Sequence, residues 1–172
     1  MPSSLISVVV GIVLLGLFAG ITAPSAAPVH AQRLDYEARA VKDLISLAYG
    51  QAVATGTPYA IWYDANARQF TVAEANLTVE PPTPAGVFYH PISRQPATHT
   101  LADGVALSPS TSPFFFGGGG QHAYLVFDNW GYPFGVNGGV RFALSQADLA
   151  LSDGGVQRNV VVEPVSARTS IQ

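Results

Sequence analysis

Residues 5–23 read LISVVVGIVLLGLFAGITA, nineteen positions without one charged side chain. A helix of that length rises roughly 28 Å, close to the hydrocarbon thickness of a bilayer, and an apolar run of about 18 residues or more reads as a membrane span. Leu5 to Ala23 is therefore expected to anchor the chain in a membrane, with the remainder forming one exported domain. A cleaved secretory signal competes with this, because Val29-His30-Ala31 before Gln32 resembles a small-x-small cut site after Ala31. Against the signal, the run exceeds the usual apolar core of about 7–15 residues, and no Lys or Arg precedes it.

The 172 residues suit one anchor and one modest domain. With 11% charged residues, a net charge of −3 and no basic cluster, the chain lacks the stripe that would neutralise phosphates, which argues against nucleic-acid binding. The absence of cysteine excludes a disulfide framework, a thiolate metal site and a thiol nucleophile.

After Pro24 and Pro28, the stretch Arg33 to Thr55 has helical spacing. Leu34, Val41, Leu44, Ile45, Ala48, Ala52 and Val53 share one face, while Asp35, Arg39, Lys42, Asp43 and Ser46 share the other. Gly56 and Pro58 end it. Three segments follow: an apolar membrane anchor with a proline kink over 1–31, an amphipathic helix over 32–57, and a β-rich globular domain over 58–172.

Within the last segment, Tyr59 to Tyr63 and Gln69 to Ala73 read as strands joined by a turn at Asp64 to Arg68. Glu80 to Gly86 is a proline-rich loop unsuited to a sheet interior. Phe88 to Ser93 and Val105 to Ser108 are further strand candidates. Ser108 to Gly120 reads as a flexible excursion whose Phe114, Phe115 and Phe116 more simply fold their rings back onto the sheet; the alternative is an exposed contact for a neighbouring subunit or client. Ala123 to Phe127, Val140 to Leu144, Gln157 to Glu163 and Ala167 to Ile171 complete the strands, and Gln146 to Leu151 reads as a short helical turn. The fold class is α+β, one long helix packed on a mainly antiparallel sheet.

Residues that could carry chemistry are sparse. His30, His90, His99 and His122 show no HxH, HxxxH or HExxH spacing, so no metal site is assigned. Ser93, His122 and Asp128 could form a hydrolytic set on paper, but no Gly-x-Ser-x-Gly elbow accompanies them. Gly117 to Gly120 lacks the Lys-Ser/Thr of a phosphate cradle. Asp128-Asn129 beside Gly131 is the pattern of a turn before it is a calcium site. Asn76-Leu77-Thr78 matches a glycosylation sequon, a pattern common enough to arise by chance. Trp62, Trp130 and Tyr132 could stack on a sugar, but aromatics at strand positions usually enter the core. No cofactor and no enzymatic activity are expected.

The run Ser4-Leu5-Ile6-Ser7-Val8-Val9-Val10, continuing through Gly11 to Leu17, resembles the N-terminal hydrophobic motif of the type IV pilin-like proteins, specifically the pseudopilin H (GspH/FimT) family of type II secretion and pilus systems. Pro24 lies seventeen residues after Ser7, the family's spacing between its glutamate and its helix-kinking proline. Arg33 to Ala52 resembles the family's second helical half, and Phe127-Asp128-Asn129-Trp130-Gly131 with Gly138 to Phe142 resembles its late hairpin. The resemblance covers most of the chain. It implies a minor, non-catalytic structural subunit of a pseudopilus or pilus-like filament. The subunit is held by membrane lipid in the inner membrane as a single-pass protein, its globular domain on the periplasmic side. Its implied partners are other pilin-like subunits and an inner-membrane assembly platform. Ser7, Gly11, Gly16, Gly20 and Pro24 would shape the helix packing, glycines allowing close approach. Two departures stand out. Ser7 replaces the glutamate that in the family pairs with a neighbour's amine, and Met1-Pro2-Ser3 does not form a basic leader ending in Gly. The latter leads to the expectation of either a start assigned too far downstream or insertion without that processing. The alternative function is a secreted β-rich binding module released by cleavage after Ala31.

Overall fold

The computed structural model describes residues 27–172. The expected anchor, with Ser7, Gly11, Gly16, Gly20 and Pro24, lies outside them. Helix α1 spans Ala27–Thr55, 29 residues or about 43 Å of rise. Its buried positions are Leu34, Glu37, Ala38, Val41, Leu44, Ile45, Ala48 and Ala52, the three- and four-residue spacing of one helical stripe. Val53, expected on that face, is exposed, because the stripe has drifted round by the last turn and Ala52 occupies the core position. Among the described residues, no helix is long and apolar enough to cross a membrane.

Twelve strands follow. They begin with β1 (Tyr59–Asp64), β2 (Gln69–Asn76), β3 (Thr83–Pro84), β4 (Thr98–Thr100), β5 (Ala106–Ser108) and β6 (Phe114–Phe116). The series ends with β7 (Gly120–His122), β8 (Tyr124–Phe127), β9 (Pro133–Asn137), β10 (Val140–Asp153), β11 (Val156–Val162) and β12 (Thr169–Ile171). The main path runs β12-β11-β10-β9-β8-β1-β2-β3, and every pairing is antiparallel. The helix packs chiefly on β11, β1, β2, β10 and β12. Between them, Leu34, Ile45, Ile61, Phe70, Val72, Leu125, Phe127, Leu149, Leu151 and Val160 close a dry core. Burial of such side chains, each worth about 1.5–3 kcal/mol, is the main force holding helix to sheet.

Strand β10 joins the two halves of the sheet. Its first residues pair with β9, and Ala147 to Asp153 pair with β11, with a bulge between Leu144 and Gln146. The short helix expected over Gln146 to Leu151 is therefore strand. Ala147, Leu149 and Leu151 are buried while Gln146, Asp148 and Ala150 are not, a period of two that a helix could not satisfy. The turn to β11 is the dipeptide Gly154-Gly155, both at positive φ, the geometry of a tight hairpin that sets Asp153 at its mouth.

Two more expectations are corrected. Phe88 to Ser93 forms no strand, only an isolated bridge between Tyr89 and Pro96, since Pro91 and Pro96 remove the donors a ladder needs. Ser108 to Gly120 is not a free excursion. Its phenylalanines form β6, which pairs with both β7 and β10. Alternation buries Phe114 and Phe116 completely and leaves only Phe115 at the surface, 44% exposed. Phe116 fits because its neighbour is Gly135, where an added Cβ would sit 2.9 Å from the ring.

Candidate functional site

The first turns of α1 carry polar groups that reach three separate parts of the sheet. His30, Arg33 and Asp35 flank the apolar stripe, so each can bond outward while Leu34, Ala38 and Val41 stay in the core. His30 Nδ1 lies 2.9 Å from Asp153 Oδ2 and Arg33 Nε donates to the same oxygen at 2.7 Å; the Arg33 Nη2 group also bonds it. Asp153 is buried. The Arg33 guanidinium first, and the His30 ring second, hold its carboxyl below the usual carboxylate range, against the opposing effect of burial. Gly154 packs on the His30 ring, where an added Cβ would meet it at 3.0 Å.

Asp35 accepts from Arg158 Nε of β11 at 2.6 Å. Glu37, only 3% exposed, lies inside the stripe itself and meets His99 Nε2 of β4 at 2.6 Å. The ring N–H is the donor there, since a carboxylate oxygen only accepts. The edge of Tyr36 packs on the same imidazole, 6.1 Å between ring centres. A buried acid costs several kcal/mol unless paired, so Glu37 fixes the helix to the β2–β4 side and Asp153 fixes it to the β10–β11 side, while the half-exposed Asp35–Arg158 pair adds little. These pairs tie the helix to β4 on one side and to β10 and β11 on the other.

The residues singled out for catalysis each bond locally. Ser93 Oγ accepts from Gln95 N at 3.4 Å, His122 Nε2 donates to Gly119 O at 2.9 Å, and Asp128 Oδ1 accepts from Trp130 N at 2.9 Å and Tyr132 N at 2.8 Å. Asp128 thus closes its own turn, with Gly131 at φ +84° beneath the Tyr49 ring. That turn carries Trp130 outward, 75% exposed, with Tyr132 also exposed. The two are surface groups, contrary to the expectation that they enter the core. Trp62 is half-buried and donates to Pro82 O at 3.1 Å. Among the described residues, no group of three His, Asp or Glu side chains converges as a metal would require.

No family model matches the sequence, and no curated protein matches it significantly. Solved structures do. The minor pseudopilin EpsH of the Vibrio cholerae type 2 secretion system superposes with a TM-score of 0.53 at 13% identity, over 81% of this chain and 93% of that one. The type IV minor pilin FimU of Pseudomonas aeruginosa gives 0.51 at 13% identity, over 87% of this chain and 92% of that one. The fold is that of the GspH/FimT-like pilins. In this pilin fold the clamped residues occupy the part of α1 nearest the preceding apolar segment in sequence. Glu37 and His99 carry no motif that sequence reading could use, because their partnership depends on β4 pairing with β2.

Proposed function

We propose that the chain is a minor pseudopilin-like structural subunit of a type II secretion pseudopilus or type IV pilus-like filament, without catalytic activity. The observation that carries this is the pilin fold itself, built on one long helix ionically locked to its sheet. A subunit extracted from a membrane into a filament must transmit force from its anchor to its outer domain, and a rigid helix–sheet joint suits that task. Leu5 to Ala23 anchors it as a single-pass protein in the inner membrane, with lipid around the helix and the globular domain on the periplasmic side. Assembly then brings Ser7, Gly11, Gly16, Gly20 and Pro24 against the helices of other pilin-like subunits, with an inner-membrane platform as the assembly partner.

Against the secreted binding module stands one detail. Residues 27–31 are helical and continuous with the rest of α1, and cleavage after Ala31 would remove His30 from Asp153. Intact-mass measurement of the mature protein tests the choice. A species retaining Leu5 to Ala23 in the membrane fraction is expected. A soluble species beginning at Gln32 would overturn the anchored filament subunit.

A further inference from the structure

Asp148 sits where the chain breaks away from β10. Strand β5 ends with Ser108 opposite Ala150, and β6 rejoins with Phe115 opposite Gln146. The intervening segment 109–113 steps off the sheet and leaves a notch of about 320 Å³, lined by Pro109, Ser112, Phe115, Gln121, Gln146 and Asp148 among others. Cross-strand register builds one wall, since Phe115 faces Gln146 on one side and Gln121 on the other. Asp148 lies two residues further along β10, on the same outward-facing row as Gln146.

The carboxylate is unusual. Its Oδ1 is shut off from solvent and has no hydrogen-bond partner among the described residues. Asp148 also takes part in none of the ion pairs found there. No Lys, Arg or His lines the notch. A carboxylate half removed from water with no donor beside it is costly, and a cation arriving on the open side offsets that cost.

The lining decides which cation. A calcium ion takes six to eight oxygen ligands, usually several carboxylates, whereas here there is one acid beside proline and an aromatic ring. A guanidinium suits the same surfaces. Its N–H groups can pair with the open oxygen of the carboxylate, its face can stack on a ring such as Phe115, and its other N–H groups suit amide carbonyl acceptors such as those of Gln121 and Gln146. The volume is at the lower end for ligand pockets (~300–1,000 Å³), room for one extended side chain. We propose that this notch receives an arginine side chain from a partner protein, with Asp148 as the charge partner and Phe115 as the stacking surface. Its chemistry is independent of filament assembly.

The test is NMR titration of the full-length chain in detergent micelles with N-acetyl-arginine amide, following the Gln121 and Gln146 side-chain amides and the Phe115 ring. Saturable shifts at these groups are expected in the millimolar range. Asp148→Asn, which keeps the shape, should weaken binding at least about tenfold, the loss of one charge-assisted contact. Phe115→Leu, at an exposed ring, should weaken it more modestly, and it supplies the test if the Asp148 variant loses its dispersed native spectrum. No saturable shift would overturn the proposal. So would unchanged binding in Asp148→Asn, an equal response to N-acetyl-lysine amide, or displacement of the probe by calcium. A preference for free L-arginine over the blocked form would also overturn it, since a site for the amino acid would need a cation for the α-carboxylate.

Discussion

Glu37 and His99 are 62 residues apart in the chain and 2.6 Å apart in the fold, the acid on the helix and the imidazole on the sheet. Both are largely shielded from water. Replacing His99 with Ala should destabilise the protein by roughly 3–5 kcal/mol, because it leaves a buried acid without a partner. The Glu37→Gln/His99→Ala double variant should lose less than the sum of the two single losses. Urea unfolding of the four proteins measures this coupling, and additive losses would show that the pair is not linked.

Asp153 sets the acid limit of the joint. Arg33 and His30 depress its carboxyl pKa in the folded state, so its contribution to stability is complete above the unfolded value of about 3.9. The contribution is lost as pH falls through the lower, folded value. Urea midpoints measured between neutral and strongly acidic pH should therefore decline in the acid range for the native chain. Asp153→Asn should be less stable at neutral pH and show a flatter acid decline. An acid decline of equal steepness in that variant would contradict the assignment.

The phenylalanine triplet separates core from surface within three residues. Phe116→Ala should cost about 3–5 kcal/mol, as for a fully buried aromatic. Phe115→Ala should change stability by no more than about 0.5 kcal/mol, as for a surface position. Thermal unfolding of the two variants checks the alternation, and similar losses would contradict it.

Two glycines offer opposite outcomes. Gly50 lies in α1 with nothing within 4 Å of an added Cβ, so Gly50→Ala should stabilise by roughly 0.5–1 kcal/mol. Gly131 is at φ +84°, and its added Cβ would stand 2.3 Å from the Tyr49 ring. Gly131→Ala should destabilise by about 1–3 kcal/mol, from backbone strain joined to that collision. Calorimetry of both variants reads the signs directly.

The helix was legible because its apolar stripe repeats on a 3.6-residue period, and β1 and β2 because Asp64 and Arg68 punctuate them. Strand β10 was harder to read. Leu144 and Gln146 flank a bulge that shifts the alternation, so the second half resembled a helical turn. The three phenylalanines beside four glycines resembled a loop, since nothing local announces that Gly135 lies opposite to receive Phe116. The clamp was invisible for a different reason. His30, Arg33, Asp35 and Glu37 find partners only through contacts more than sixty residues distant, which no local spacing encodes.

The most direct measurement exploits a chain that has no cysteine of its own. Gly16→Cys, alkylated with a benzophenone-maleimide and irradiated so that the excited ketone inserts into a neighbouring C–H bond, should cross-link, in membranes of cells with a working machine, to the apolar segment of another pilin-like subunit identified by mass spectrometry. Removing the proposed inner-membrane assembly platform should abolish the adduct. Recovery of the chain only as a soluble product beginning at Gln32, or a Gly16 cysteine that stays unlinked while the machine assembles, would contradict the filament-subunit account.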